Sequence, residues 1–229
     1  MPQAPTSTRQ QLPEEVATHV REMIISGQVR AGEFLRIEPL ANAFGVSATP
    51  VREGLLTLRS EGFVETVPRR GFLVLPFTRQ DVRDLFWAQA QLAGELASRA
   101  AKRITRHQID DLRMSLEEHQ GAITRRDGDE IASRGHTFHR KINIAADSPR
   151  LARLLDSVVT NLPNRLYAAV DGHISTTEVD HPLLLDALSR RASNKARALM
   201  EAHILDGADH LIAELELRGL WAGTGPQVI

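Results

Sequence analysis

The chain has 229 residues, no cysteine and a formal net charge of −1, which excludes disulfide scaffolding and thiolate metal sites and gives no bulk electrostatic pull toward nucleic acid. Its 42% hydrophobic and 25% charged content is that of a soluble globular protein, and the length suits two domains. No apolar run approaches the ~20 residues of a membrane span, and residues 1–11, rich in Pro, Thr, Ser and Gln, lack the apolar stretch of a signal peptide, so a disordered lead and a cytoplasmic location are expected.

From Leu12 to Ser26, Val16, Val20, Met23 and Ile24 fall near helical spacing, and Glu14 and Glu15 suit the positive helix start. Gly27 and Gly32 bracket a loop. Ile37 to Phe44 reads as a short second helix with Leu40, Ala41 and Phe44 inward. Gly45 suits the left-handed end of that helix. Ser47 or Thr49 can cap a third helix, and Pro50 suits its first turn. Val51, Leu55 and Leu58 then share one face, while Ser47, Thr49 and Arg52 stay exposed. Such a helix, entered by a tight turn from another helix, has the form of a recognition helix for the DNA major groove.

That helix runs to about Ser60, and Gly62 ends it. Phe63–Val67 and Phe72–Leu75 are β-like on either side of a Pro68–Gly71 turn. Three helices plus a β-hairpin make a winged helix-turn-helix over 12–76. Arg69, Arg70 and Gly71 at the hairpin tip can approach phosphates or the minor groove, although a basic tip also reads as a plain solvated turn. Residues 1–77 hold eight Arg and no Lys against eight Glu and no Asp. DNA binding must therefore rest on where the arginines point.

Pro76-Phe77 marks the boundary. The segment 77–218 carries almost no strand signal. Its expected helices are Thr78–Ile104 (capped by Thr78 with Asp81), Thr105–Thr124, Asp127–Ala146, Pro149–Val170 with a kink near Pro163, Ser175–Ala192 and Asn194–Arg218. The fold class is mainly α: a winged helix-turn-helix followed by an all-α helical bundle. A flexible tail is expected over 219–229. His19 is the one histidine in the first 77 residues, against eight in the remainder, which argues that the two parts differ in chemistry.

Several segments together resemble the GntR family of bacterial transcription regulators. They are Ile-Ile-Ser-Gly at 24–27, Ala-Gly-Glu-Phe-Leu at 31–35, Gly-Val-Ser-Ala-Thr-Pro-Val-Arg-Glu at 45–53, Leu-Arg-Ser-Glu-Gly-Phe-Val-Glu at 58–65 and Arg-Arg-Gly-Phe-Leu-Val at 69–74. The chain looks like the FadR-like subgroup, with the helical effector domain called FCD, over 12–218. The resemblance implies a homodimer on a pseudo-palindromic double-stranded operator, usually repressing until a small-molecule effector binds. It places Arg52, Ser47 and Thr49 at base-contacting positions and Arg36 at a phosphate-contacting one. Ala48 departs, since many relatives carry a basic or polar residue there. Its methyl can meet a thymine methyl but cannot make a bidentate guanine contact.

The resemblance also implies a divalent-metal site, Zn²⁺ or Ni²⁺, held by an Asp-x-x-x-His on one helix and two further histidines on others. His139, His181 and His203 fit the histidine positions, but the Asp position is Gly135. Three outcomes stay open: a three-His site completed by water or effector, His136 as an unusual substitute, or a purely organic pocket. His107, His119, His173 and His210 read as surface or core residues. Many relatives have Arg and Glu near where Gln89 and Ala93 stand, so a carboxylate effector needs other partners. Gln89, Asn143, Asn161 and Arg165 are the effector-binding candidates.

Two other functions compete. A three-His centre with an open position is also a hydrolase arrangement, but no His-Glu-x-x-His occurs and no carboxylate is expected on the face of His181 to act as base, so a non-enzyme is favoured. A helical adaptor that uses the winged domain for protein contact is the other.

Overall fold

A computed structural model describes the backbone of residues 7–162 and 171–221 and the side chains of 12–162 and 176–221. Its elements are α1 (Ser7–Ile25), β1 (Phe34–Leu35), α2 (Ile37–Phe44), α3 (Ala48–Ser60), β2 (Val64–Val67), β3 (Gly71–Val74), α4 (Arg79–Arg103), α5 (Arg106–Arg125), α6 (Gly128–Ala145), α7 (Pro149–Val159), α8 (Asp171–Ser189) and α9 (Ser193–Leu217). They form two compact units, 1–78 with 215–229 and 79–214. Among the described residues no helix is long and apolar enough to cross a membrane.

In the first unit α1 packs on α3. Val16, Val20 and Ile24 from α1 meet Val51, Leu55 and Leu58 from α3, all buried. Gly54 makes this crossing close: a Cβ there would lie 2.8 Å from the Pro13 carbonyl oxygen and 3.1 Å from the Ala17 nitrogen. Arg21 of α1 donates through Nε and Nη2 to both oxygens of Glu61 at 2.7–3.0 Å. This charged fork ties α1 to the end of the third helix.

The winged fold is as expected, with differences at its margins. The helix expected from Leu12 begins at Ser7, inside the anticipated lead, and contains Pro13. Proline removes one backbone donor, a loss that did not stop the helix upstream. The loop before α2 contains β1, which pairs with β3, so the sheet order is β1-β3-β2 and antiparallel throughout. Two residues are too short for an alternating pattern to show. The tail expected to be flexible from Gly219 is tied down at Trp221, whose Nε1 donates to the Phe77 carbonyl at 2.7 Å.

In the second unit α4 is the central helix, packed against α6, α7 and α8, while α5 packs on α6 and α8. Val82, Phe86, Ala90, Ala93, Leu96, Ala97 and Ala100 of α4 are all buried. A capping box starts α5, with Gln108 N–H donating to the Thr105 hydroxyl and Thr105 N–H to the Gln108 amide oxygen. Asp127 caps α6. The helix expected to run from Pro149 to Val170 ends at Val159, with Thr160 as its C-cap. The kink expected near Pro163 lies outside the described residues.

Candidate functional site

The first unit presents a polar surface built from α2, α3 and the hairpin. Gly45 takes φ 65° and ends α2, its N–H directed at the carbonyls of Ala41 and Asn42. Ser47 is the N-cap residue of α3, but its hydroxyl makes no capping bond and stays exposed beside Ala48, Thr49 and Arg52. Arg36, Arg69 and Arg70 are exposed as well, and Gly71 is half-buried. The turn between β2 and β3 closes by a bond from Arg70 N–H to the Val67 carbonyl at 3.1 Å. Arg69 sits in it at φ 63°, and Arg70 stacks over the Phe34 ring at 4.2 Å. The α3 start thus offers hydroxyls, one methyl and one guanidinium, as a recognition helix does.

The second unit contains a cavity of about 90 Å³ lined by α4, α5, α6, α7, α8 and α9. His139 of α6, His181 of α8 and His203 of α9 converge in it, their candidate ligand atoms all within 4.8 Å of one another. The Nε2 atoms of His139 and His181 are 2.9 Å apart. Ring centroids are separated by 5.0 Å for His139–His181, 5.1 Å for His139–His203 and 4.9 Å for His181–His203. Phe138 stacks on the His181 ring at 4.4 Å. Nδ1 of His203 lies 3.1 Å from Oδ2 of Asp180. A carboxylate on one imidazole nitrogen orients the ring and makes the other a better metal donor.

Gln89 and Asn143 line the same cavity. Gln89 Oε1 and Asn143 Oδ1 are buried with no hydrogen-bond partner among the described residues. Buried polar atoms are seldom left this way unless water or a ligand meets them. Asn161 is not part of the cavity wall; its Nδ2 donates to the Ser157 carbonyl at 2.8 Å. Arg165 lies outside the described residues. His136 lines the cavity but is exposed and does not join the three-His group.

Four wall or supporting residues escaped the sequence. Thr177 is buried in the wall, Arg140 stands in it beside His139, and Asp180 supports His203. Asp180 neighbours His181 in sequence, yet serves an imidazole from another helix, a pairing no local periodicity reveals. His119, expected on the surface or as a plain core residue, is buried in the cavity wall. Burial pushes its imidazole below the ordinary value, with a hydrogen bond to the Ile131 carbonyl and the Glu178 charge pulling the other way. His107 and His210 pair with acids one turn away on their own helices. The side chain of His173 lies outside the described residues.

The model of the gntR family of bacterial regulatory proteins matches residues 12–74, and that of the FCD domain matches 84–206. The HTH-type transcriptional regulator YdhC of Bacillus subtilis is 27% identical over 203 residues, covering 86% of this chain and 89% of that protein. The transcriptional repressor RspR of Escherichia coli is 24% identical over 83% of this chain and 85% of its own. The gluconate operon transcriptional repressor of B. subtilis is 25% identical over 90% and 85%. The solved structure of E. coli McbR/YncC shares the fold with a TM-score of 0.65 at 24% identity, covering 90% of this chain and 97% of that one. The chain belongs to the GntR family of transcriptional regulators, in the FadR-like group whose second domain is an FCD domain.

Proposed function

We propose that this regulator is a cytoplasmic homodimeric repressor whose affinity for a pseudo-palindromic operator is set by a small carboxylate bound in the second-unit cavity, with a divalent metal held by His139, His181 and His203. The observation that carries it is the convergence of those three imidazoles, within 4.8 Å, on a wall with two unmet amide oxygens. The donor set fits an imidazole-preferring ion such as Zn²⁺ or Ni²⁺, and Asp180 against His203 is the outer support such a ring needs. The ion, when bound, supplies a Lewis-acidic position for an effector oxygen. Gln89 and Asn143 orient the rest of the effector, and Arg140 supplies the cation that Gln89 does not. Two relatives named as repressors support the sign of regulation.

On the DNA, Ser47, Thr49 and Arg52 carry base contacts, Ala48 an apolar one, and Arg36, Arg69, Arg70 and the Gly71 backbone hold phosphate or minor groove. An effector changes operator affinity only by the difference in its own affinity for the two states of the regulator, typically ~1–3 kcal/mol.

Fluorescence anisotropy of DNA from upstream of the gene, with and without Zn²⁺ and a panel of small carboxylates, tests this. Arg52→Ala should weaken operator binding and narrow the preference for the operator over unrelated DNA. His139→Ala should keep DNA affinity and lose the response to carboxylates. A His139→Ala protein that still responds fully would remove the metal from the scheme. Hydrolysis of simple esters by the wild type, lost in the same variant, would favour the hydrolase alternative.

A further inference from the structure

We propose that His119 is a fourth imidazole ligand of the same centre, so that the metal is held by side chains from α5, α6, α8 and α9. The inference rests on the metal-binding reading above and names a residue that reading does not use. His119 is 3% exposed and lines the cavity. Gly135 and His139 lie one turn apart on one face of α6. Gly135 puts no side chain into the wall there. The Nε2 of His119 is the atom found within 4 Å of where a Cβ would stand, at 3.5 Å. The missing side chain is thus met by a nitrogen donor from α5, directed at the face of α6 that carries His139.

The spacing of the three central rings, and of His119 to one of them, fits such a shell. Imidazoles bound at the usual ~2.0–2.1 Å in a tetrahedral array have centroids about 5 Å apart. The three pairs among His139, His181 and His203 stand at 4.9–5.1 Å, and His119–His181 at 5.4 Å. His119 is not one of the three whose ligand atoms lie within 4.8 Å of one another. Binding draws its side chain in across Gly135, where no Cβ bars the way. Four ligands from four helices then close the tetrahedral shell, and an effector oxygen enters by raising the coordination number.

The test uses the full chain stripped of metal and titrated with Zn²⁺ against a chromogenic chelator. X-ray absorption of the zinc-loaded protein counts imidazoles, and the visible spectrum of the Co²⁺ form reports coordination number. Wild type should show four imidazoles. His119→Gln should show one fewer, bind Zn²⁺ at least about tenfold more weakly, and change the Co²⁺ spectrum. Wild-type affinity and an unchanged spectrum in His119→Gln, with binding lost in His139→Ala, would overturn the proposal and leave the three-His centre standing. Zn²⁺ uptake by neither protein would bring down both. Circular dichroism of metal-free His119→Gln and His119→Asn checks folding. If neither folds, the wild-type count alone decides, and three imidazoles refute the assignment.

Discussion

Gly54→Ala places two physical rules in opposition at the recognition helix. Helix propensity favours the change: alanine in a helix interior is ~0.5–1 kcal/mol better than glycine. Packing opposes it. The new Cβ would lie 2.8 Å from the Pro13 oxygen, 3.0 Å from Val16 Cγ1 and 3.1 Å from the Ala17 nitrogen. Two of those atoms are backbone, so no rotamer change in α1 relieves them. The helix itself must retreat, against the part-buried Arg21–Glu61 fork that holds it. Overpacking of a filled core costs ~1–3 kcal/mol, and two backbone contacts put this site in the upper half. The net effect is a loss of about 1–2 kcal/mol, or roughly 4–16 °C in a unit of this size. Gly121→Ala in α5 is the control, because its Cβ would meet only Arg125 Nη1, a flexible side-chain end, at 3.2 Å. That change should be neutral or stabilising by ~0.5–1 kcal/mol. Differential scanning calorimetry of the two variants measures both. A transition for Gly54→Ala at or above the wild-type temperature would refute the close-crossing argument.

Glu61→Ala leaves the Arg21 guanidinium, 8% exposed, without its carboxylate; a loss of ~3–5 kcal/mol is expected in chemical denaturation, and less when Arg21 is also replaced by Met. Gly71→Ala combines φ 111° with a Cβ 2.6 Å from the Leu35 oxygen, so it should unpair β1 from β3 and weaken operator binding while helical circular dichroism is kept; unchanged anisotropy would count against a role for the wing. Asp180→Asn should weaken Zn²⁺ binding by ~10–100-fold in chelator competition, and equal affinity would show that His203 needs no carboxylate support. Glu95 is held below its ordinary pKa by the Arg99 hydrogen bond and by Arg197, against its own burial. Its contribution is therefore present above the unfolded value of ~4.3 and lost as pH falls through the lower folded value. Glu95→Gln should cost ~0.2–1 kcal/mol at pH 7 and converge with wild type in strong acid, as pH-dependent urea melts would show.

The sequence alone determined the parts whose cause is local. The turn at Gly45, the start of α3 at Ser47-Ala48 and the helix starts at Thr105 and Asp127 depend on residues within a few positions of one another, and each stands where the sequence put it. The winged order followed from those elements, apart from β1, which exists because β3 lies beside it. The cavity is different in kind. Sequence resemblance named His139, His181 and His203 as a set, but their meeting depends on how α6, α8 and α9 pack. Only the tertiary structure decided that Asp180 turns to His203, that Asn161 turns back on its own helix, and that His119 enters the wall. A helix repeats every 3.6 residues and reports which face a residue occupies. It carries no information on which other helix that face will meet, and there the missing side chain of Gly135 admits a histidine from α5.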